Sequence, residues 1–284
     1  KLLRIFVIDN HRALNSMNKT LLIIGNGFDL NLGLKTGYCD FIKSDYFKKE
    51  VNNNNQLCKY LLNQQELYNW IDIENELKKY STKTDSQPKQ VKQDFKNLSA
   101  SLIDYLSSLP YDKINKESIA YQIINDLCKM DIVIIDFNYT PTTKILYPEK
   151  EIIKVHGSIE NKNIIFGVED KANIKKEHIF LKKSYNINFT PIDISNYLEI
   201  SDSIIFFGHS LGETDHTYFR DFFFYTNKSN NTSQKEVYIS YHGNDSYDNI
   251  MMQIDTMSNQ KLYEFKKCYN VRFINTVNEK YDHL

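Results

Sequence analysis

The chain has 284 residues, 41% of them hydrophobic and 25% charged, and a formal net charge of −1. That length holds one large α/β domain or one domain with an insertion, and the balanced charge excludes the global basic field of a nucleic-acid binder. Cys39, Cys58, Cys128 and Cys268 form no CxxC pair, which argues against a zinc ribbon and fits a reducing cytosol.

In chain order, residues 1–16 (KLLRIFVIDNHRALNS) carry a short apolar run broken by Arg4 and lack a signal-peptide layout. They read as an N-terminal extension of native or artificial origin, with Met17 as the expected start. Residues 17–284 are expected to form a single α/β domain. Apolar runs rich in β-branched residues predict strands at 20–24, 131–136, 152–155, 163–166, 203–207, 236–241 and 271–274. Helical spacing covers 38–49, 56–80, 91–109 and 118–130, so a helical insertion at about 38–130 follows the first strand. Trp70, Ile73 and Leu77 share a helical face and read as structure; Glu74 has two readings, a cleft-facing acid and, ahead of it, a solvated or capping one. Later helices are expected at 191–200, 215–226 and, with a break, 246–267. No apolar run reaches the ~18 residues of a membrane span, and the expected location is the cytoplasm. The pattern predicts a Rossmann-like, mostly parallel open sheet, whose ligands bind outside the carboxyl ends of the strands.

Four strand tips carry candidate chemistry. The first, LLIIGNGFDLNLG over 21–33, runs an apolar strand into Gly25-Asn26-Gly27. Glycine permits positive φ and close approach of a ligand to backbone N–H groups. A helix starting near Phe28 would favour an anion by ~0.3–1 kcal/mol. Leu30 occupies the third position of GxGxxG, so the ordinary dinucleotide fingerprint fails, and Gly33 comes instead. Asp29 is either a helix N-cap or an acceptor for ribose hydroxyls. The second tip, Asp136-Phe137-Asn138-Tyr139-Thr140-Pro141, offers Asn138, which holds a water or sugar hydroxyl or caps the next helix. In the third, Val155-His156-Gly157, His156 is a general base or a satisfied structural histidine. The fourth runs from Gly208 to Asp215. There His209, Asp215 and His216 offer a metal set of unfamiliar spacing. The string GHSLG offers Ser210 as a hydrolase nucleophile.

Taken in order, IIGNGFDLNLGLKT, WIDIEN at 70–75, DFNYT at 136–140, VHGS at 155–158, IIFG at 164–167 and FFGHSLGETD at 206–215 resemble the bacterial abortive-infection AbiH family of phage-defence proteins. The same order is similar to the sirtuin-like NAD-binding fold. There a glycine loop is followed by a second glycine and a short apolar residue, as in Gly25, Gly27, Gly33 and Leu34. A strand-end Asn precedes a catalytic His-Gly pair, as in Asn138 and His156, and a late segment like Gly208-His209-Ser210 touches the nucleotide. The resemblance implies that Asn138 positions ribose or water and that His156 contacts a ribose hydroxyl as acid–base. It also implies that the loop Gly25, Asn26, Gly27, Phe28 holds a pyrophosphate. Asp29, Gly33, Thr140 and Asp215 complete the expected binding set. Sirtuins carry an acid where Thr140 stands, and their zinc ribbon is missing here, so protein deacylation is not expected.

The reading from sequence is therefore an antiphage protein that binds NAD or a related nucleotide and hydrolyses the nicotinamide–ribose bond, with no metal. A phage-derived trigger or defence partner and a homo-oligomer are compatible with it; membrane and direct nucleic-acid partners are not expected. The alternatives are a nucleotide sensor that does not cut its ligand, and a hydrolase or nuclease using Ser210 or a metal.

Overall fold

A computed structural model describes residues 19–68, 72–127, 130–224 and 235–277. The readings of residues 1–16, Met17, Trp70 and Cys128 lie outside them. Six strands, β1 (Thr20–Ile24), β2 (Ile132–Asp136), β3 (Glu151–Lys154), β4 (Ser203–Phe207), β5 (Glu236–Tyr241) and β6 (Asn270–Asn275), form one sheet in the order β3-β2-β1-β4-β5-β6. Every pairing is parallel. This is the doubly wound, Rossmann-like order, and its switch point lies between β1 and β4. The register aligns the strand ends: Ile24 lies beside Asp136 and Phe207. The turns leaving three strands therefore emerge side by side.

The strands form where both faces must be covered, which is why β1 is buried throughout. Leu22 and Ile24 face a core with Phe28 and Leu32, and Leu21 and Ile23 face a second core with Phe206 and Phe219. Between β1 and β2 the chain runs through α1 (Asn26–Asn31), α2 (Tyr38–Lys43), α3 (Asp45–Asn52), α4 (Gln56–Tyr68), α5 (Ile73–Lys83), α6 (Pro88–Ser107) and α7 (Ile119–Leu127). Two expected helices are divided. Ser44 ends α2 and caps α3 by accepting from the Phe47 N–H at 3.3 Å. Asp72 caps α5 by accepting from the Asn75 N–H at 3.2 Å. Pro88 opens α6 at a position where its missing N–H costs nothing. The short α8 (Thr142–Leu146) follows β2, α9 (Ser195–Ile200) precedes β4, and α10 (His216–Phe224) follows it. Helices α11 (Asn244–Met257) and α12 (Leu262–Cys268) lie between β5 and β6.

The expected strand at 163–166 is not one. Ile164 and Phe166 are buried instead in a third core, made with Leu77, Phe95 and Leu98 of the insertion. Phe166 stacks on Phe95 with ring centroids 5.5 Å apart, a pairing worth ~0.5–1.5 kcal/mol beyond burial. The apolar run packs on helices, not in a sheet. It thereby fastens the insertion to the chain that follows β3.

Candidate functional site

Backbone hydrogen bonds lace the strand tips together. The Gly25 N–H donates to the Phe207 carbonyl at 3.1 Å and the Gly27 N–H to that of Gly208 at 2.9 Å. The Phe137 N–H donates to the Ile24 carbonyl and the Val155 N–H to that of Asp136, both at 2.9 Å. Glycine is required at the first and fourth tips. Gly208 has φ +64°, and a Cβ there would lie 2.2 Å from the Phe28 nitrogen. A Cβ on Gly25 would lie 2.6 Å from the His209 Cα. The two turns thus approach closely enough to exclude side chains. The N–H groups of Gly27 and Phe28 are taken up by this contact and by the Gly25 carbonyl.

The rest of the first tip is tied inward. Asn26 is exposed, and its Oδ1 accepts from the Thr36 hydroxyl at 2.6 Å. Phe28 is fully buried, edge-on to Phe207. Gly25, not Asp29, caps α1. Asp29 is fully buried, and one carboxylate oxygen accepts from the Thr140 hydroxyl at 2.6 Å while the other has no partner. Burial pushes its pKa up to about 7. Gly33, at φ +86°, ends α1: its N–H donates to the Leu30 carbonyl and that of Leu34 to the Asp29 carbonyl. This is a Schellman motif, which accounts for glycine at that position.

At the second tip, Asp136 and Lys154 shape the turn. Asp136 accepts from the Asn138 N–H at 2.8 Å, the Thr143 hydroxyl at 2.5 Å and the Lys154 ammonium at 2.6 Å. Lys154 also donates to the carbonyls of Asn138 and Thr140. Asn138 does not cap the next helix, because α8 begins after Pro141. Its Nδ2 donates to the Gly25 carbonyl at 3.1 Å. The Asn138 amide is therefore anchored to the glycine turn.

The third and fourth tips meet at Asp215. The His156 Nε2 lies 3.0 Å from Asp215 Oδ1, and the His209 Nε2 lies 3.6 Å from Oδ2. The His209 Nδ1 accepts from the Leu211 N–H at 3.0 Å, so its ring proton sits on Nε2 and faces the carboxylate. Lys183 Nζ stands 3.6 Å from Asp215 Oδ1 and 3.0 Å from Glu74 Oε2. The Tyr139 hydroxyl is 3.5 Å from Glu74 Oε1. The Phe137 ring sits 5.4 Å from the His156 ring and 4.4 Å from that of His209. Burial pushes Asp215 up, but Lys183 and His156 outweigh it and hold the carboxylate well below its usual range. Burial and then Lys183 push His156 down, and burial pushes His209 down to about 4. Against an ionised Asp215, His156 donates from Nε2 and keeps its lone pair on Nδ1. That Nδ1 is buried and has no hydrogen-bond partner among the described residues.

Glu74, expected as a solvated or capping acid, is buried and paired. Lys183 carries no sequence signal at all: Lys182-Lys183-Ser184 reads as a solvated loop. The metal set breaks at His216, whose Nε2 faces the Leu211 carbonyl at 3.1 Å and Gln253 Oε1 at 2.8 Å. Among the described residues no three His, Cys, Asp or Glu side chains are placed to share an ion. Ser210 is exposed, and none of the imidazole hydrogen bonds described here involves its hydroxyl. No triad is seen around it among the described residues.

Two stretches, residues 21–87 and 78–241, match the family model described as bacteriophage abortive infection AbiH. The chain belongs to the AbiH family. That membership places it among antiphage abortive-infection proteins. No curated protein matches the chain. The match takes in all four strand tips and both Glu74 and Lys183. No helix among the described residues is long and apolar enough to cross a membrane.

Proposed function

We propose that this AbiH protein binds NAD or a related nucleotide over the tips of β1, β2, β3 and β4, and hydrolyses its nicotinamide–ribose bond. The observation that carries the reading is the His156–Asp215 pair, which joins the turns after β3 and β4, with a neutral imidazole whose Nδ1 has no partner among the described residues. Such a nitrogen accepts a proton from a hydroxyl or water once a substrate reaches it. Asn138, anchored by its Nδ2 to Gly25, keeps its carbonyl oxygen to orient a water or a ribose hydroxyl. In the reaction, water adds to the ribose carbon, the C–N bond breaks, and nicotinamide leaves with the electron pair as a neutral base. The proton lost by the water passes to His156 and then to solvent.

Asn26, Gly27, Gly33, Gly208, Ser210 and Asp215 remain the proposed nucleotide contacts, while Gly25, Phe28, Asp29, Thr140 and His209, which are buried, shape the proposed site from beneath. The phosphates do not rest on the Gly27 and Phe28 amides, which already have acceptors. Loss of cellular NAD then arrests the infected cell. The test is nicotinamide release from NAD by wild-type protein, His156→Ala and Asn138→Ala, with and without lysate from phage-infected cells. The reading expects release by wild type and a loss of ~10²–10⁴-fold in His156→Ala. Binding of NAD without release by any of the three proteins would make the site a sensor.

A further inference from the structure

We propose that Lys183 and Glu74 are positioning residues for the His156–Asp215 pair: the ammonium, clamped between two carboxylates, fixes Asp215 as the acceptor so that His156 holds its proton on Nε2 and presents Nδ1. The catalytic meaning of this rests on the reading above, but the arrangement and its test need no nucleotide.

Three facts carry it. First, Lys183 is only 6% exposed, and a buried ammonium is costly unless paired. It forms ion pairs with two carboxylates, at 3.0 Å (Glu74) and 3.6 Å (Asp215), although its Nζ makes no hydrogen bond of good geometry among the described residues. Second, the backbone delivers Lys183 deliberately. Its N–H donates to the Val168 carbonyl at 2.8 Å. Beside it, Gly167 adopts φ +147°, where a Cβ would lie 2.3 Å from the Leu181 carbonyl oxygen. Third, Glu74 comes from the insertion, and Lys78, one turn along α5, faces Glu169 at 3.9 Å and Glu213 at 3.8 Å. One face of α5 thus reaches both the segment that carries Lys183 and the turn that carries Asp215. The insertion is part of the site through these pairs.

The titratable groups around the imidazole come from every neighbouring element. They are Asp215 and His209 from the turn after β4, Tyr218 from α10, Asp136 and Tyr139 from the end of β2, Glu74 from α5, and Lys183. Of these, Lys183 is the cation set against both the imidazole and its carboxylate. Removing it takes a positive charge away from His156 and leaves Asp215 to attract the imidazolium unopposed.

The experiment is nitrogen-15 NMR of the imidazoles in the ligand-free full chain, titrated from acid to neutral pH. Wild type is expected to show His156 neutral near pH 7, with the proton on Nε2. Lys183→Met raises the His156 midpoint by about 1 pH unit; Lys183→Arg, which keeps the cation, leaves it in place. If Lys183→Met does not fold, Glu74→Gln combined with Lys183→Met removes both charges and takes the same measurement. A folded variant without the cation whose His156 midpoint and tautomer match wild type overturns the proposal. A shifted midpoint in a protein that never cleaves NAD keeps the positioning role and removes the proposed reaction. Cleavage with an unshifted midpoint does the reverse.

Discussion

Gly27 and Gly208 touch backbone to backbone: the N–H of the first donates to the carbonyl of the second at 2.9 Å, and a Cβ on Gly27 would lie 2.7 Å from the Gly208 Cα. The contact joins the turns after β1 and β4 across the switch point. It leaves no room for a side chain between the two turns. The glycines read from sequence as ligand-facing have this structural task.

Gly208→Ala is expected to destabilise the fold by about 2–4 kcal/mol. The cost has two sources, a positive φ and a clash with the backbone of Phe28, neither of which a side-chain rotation relieves. Gly212→Ala is the control, since a Cβ there meets only the Ser210 hydroxyl at 3.4 Å. Denaturant unfolding of the two variants checks the difference.

Asp29 gives a pH dependence whose sign is fixed. Its folded-state pKa, about 7, lies above the ordinary aspartate value of 3.8, so the native state binds more protons between those values. Its contribution to stability is therefore present in acid and falls as pH rises toward 7. Asp29→Asn keeps an acceptor for Thr140 without the charge. Relative to wild type, the variant is expected to gain about 2–3 kcal/mol between pH 5 and pH 8. Parallel unfolding curves at the two pH values would contradict the assignment of a buried, strained carboxyl.

The Glu74–Lys183 pair should behave as a buried ion pair does. Glu74→Ala leaves Lys183 with Asp215 alone and is expected to cost about 3–5 kcal/mol. Glu74→Gln with Lys183→Met removes both members of the pair, leaves Asp215 to its imidazole donors, and is expected to cost less than the sum of the single changes. A double-mutant cycle reads the coupling directly. Additive effects would mean that the two side chains do not act on each other.

Much of this arrangement was legible in the sequence, and the reason is local. Strands β1, β2, β4 and β5 are short apolar runs that end in Gly, Asn or polar residues, so both their existence and their tips show in the order of residues. Among the described residues no strand lies between β1 and β2, and that showed as helical spacing in the same way. What failed depended on distant partners. The run at 163–166 has a strand's composition, but Ile164 and Phe166 are covered by helices of the insertion. The exceptions are Ser44 and Asp72, which read as interior helix positions although each caps the turn that begins beside it, a local signal that was missed. Glu74 and Lys183 each look like solvated charges, and only the fold sets one against the other. Asn138 and His156 were recognisable as tip residues, whereas the link of Asn138 to Gly25 and of His156 to Asp215 needed the sheet order to bring the turns together.

The most direct test of the nucleotide site is a crystal structure of the His156→Ala protein grown with NAD, a variant expected to bind without turnover. The account predicts an intact dinucleotide lying across the turns after β1 and β4, with a ribose against Asn138 and the space left by the imidazole. NAD bound elsewhere on the molecule, or a crevice that stays empty at saturating NAD while the fold is unchanged, would contradict it.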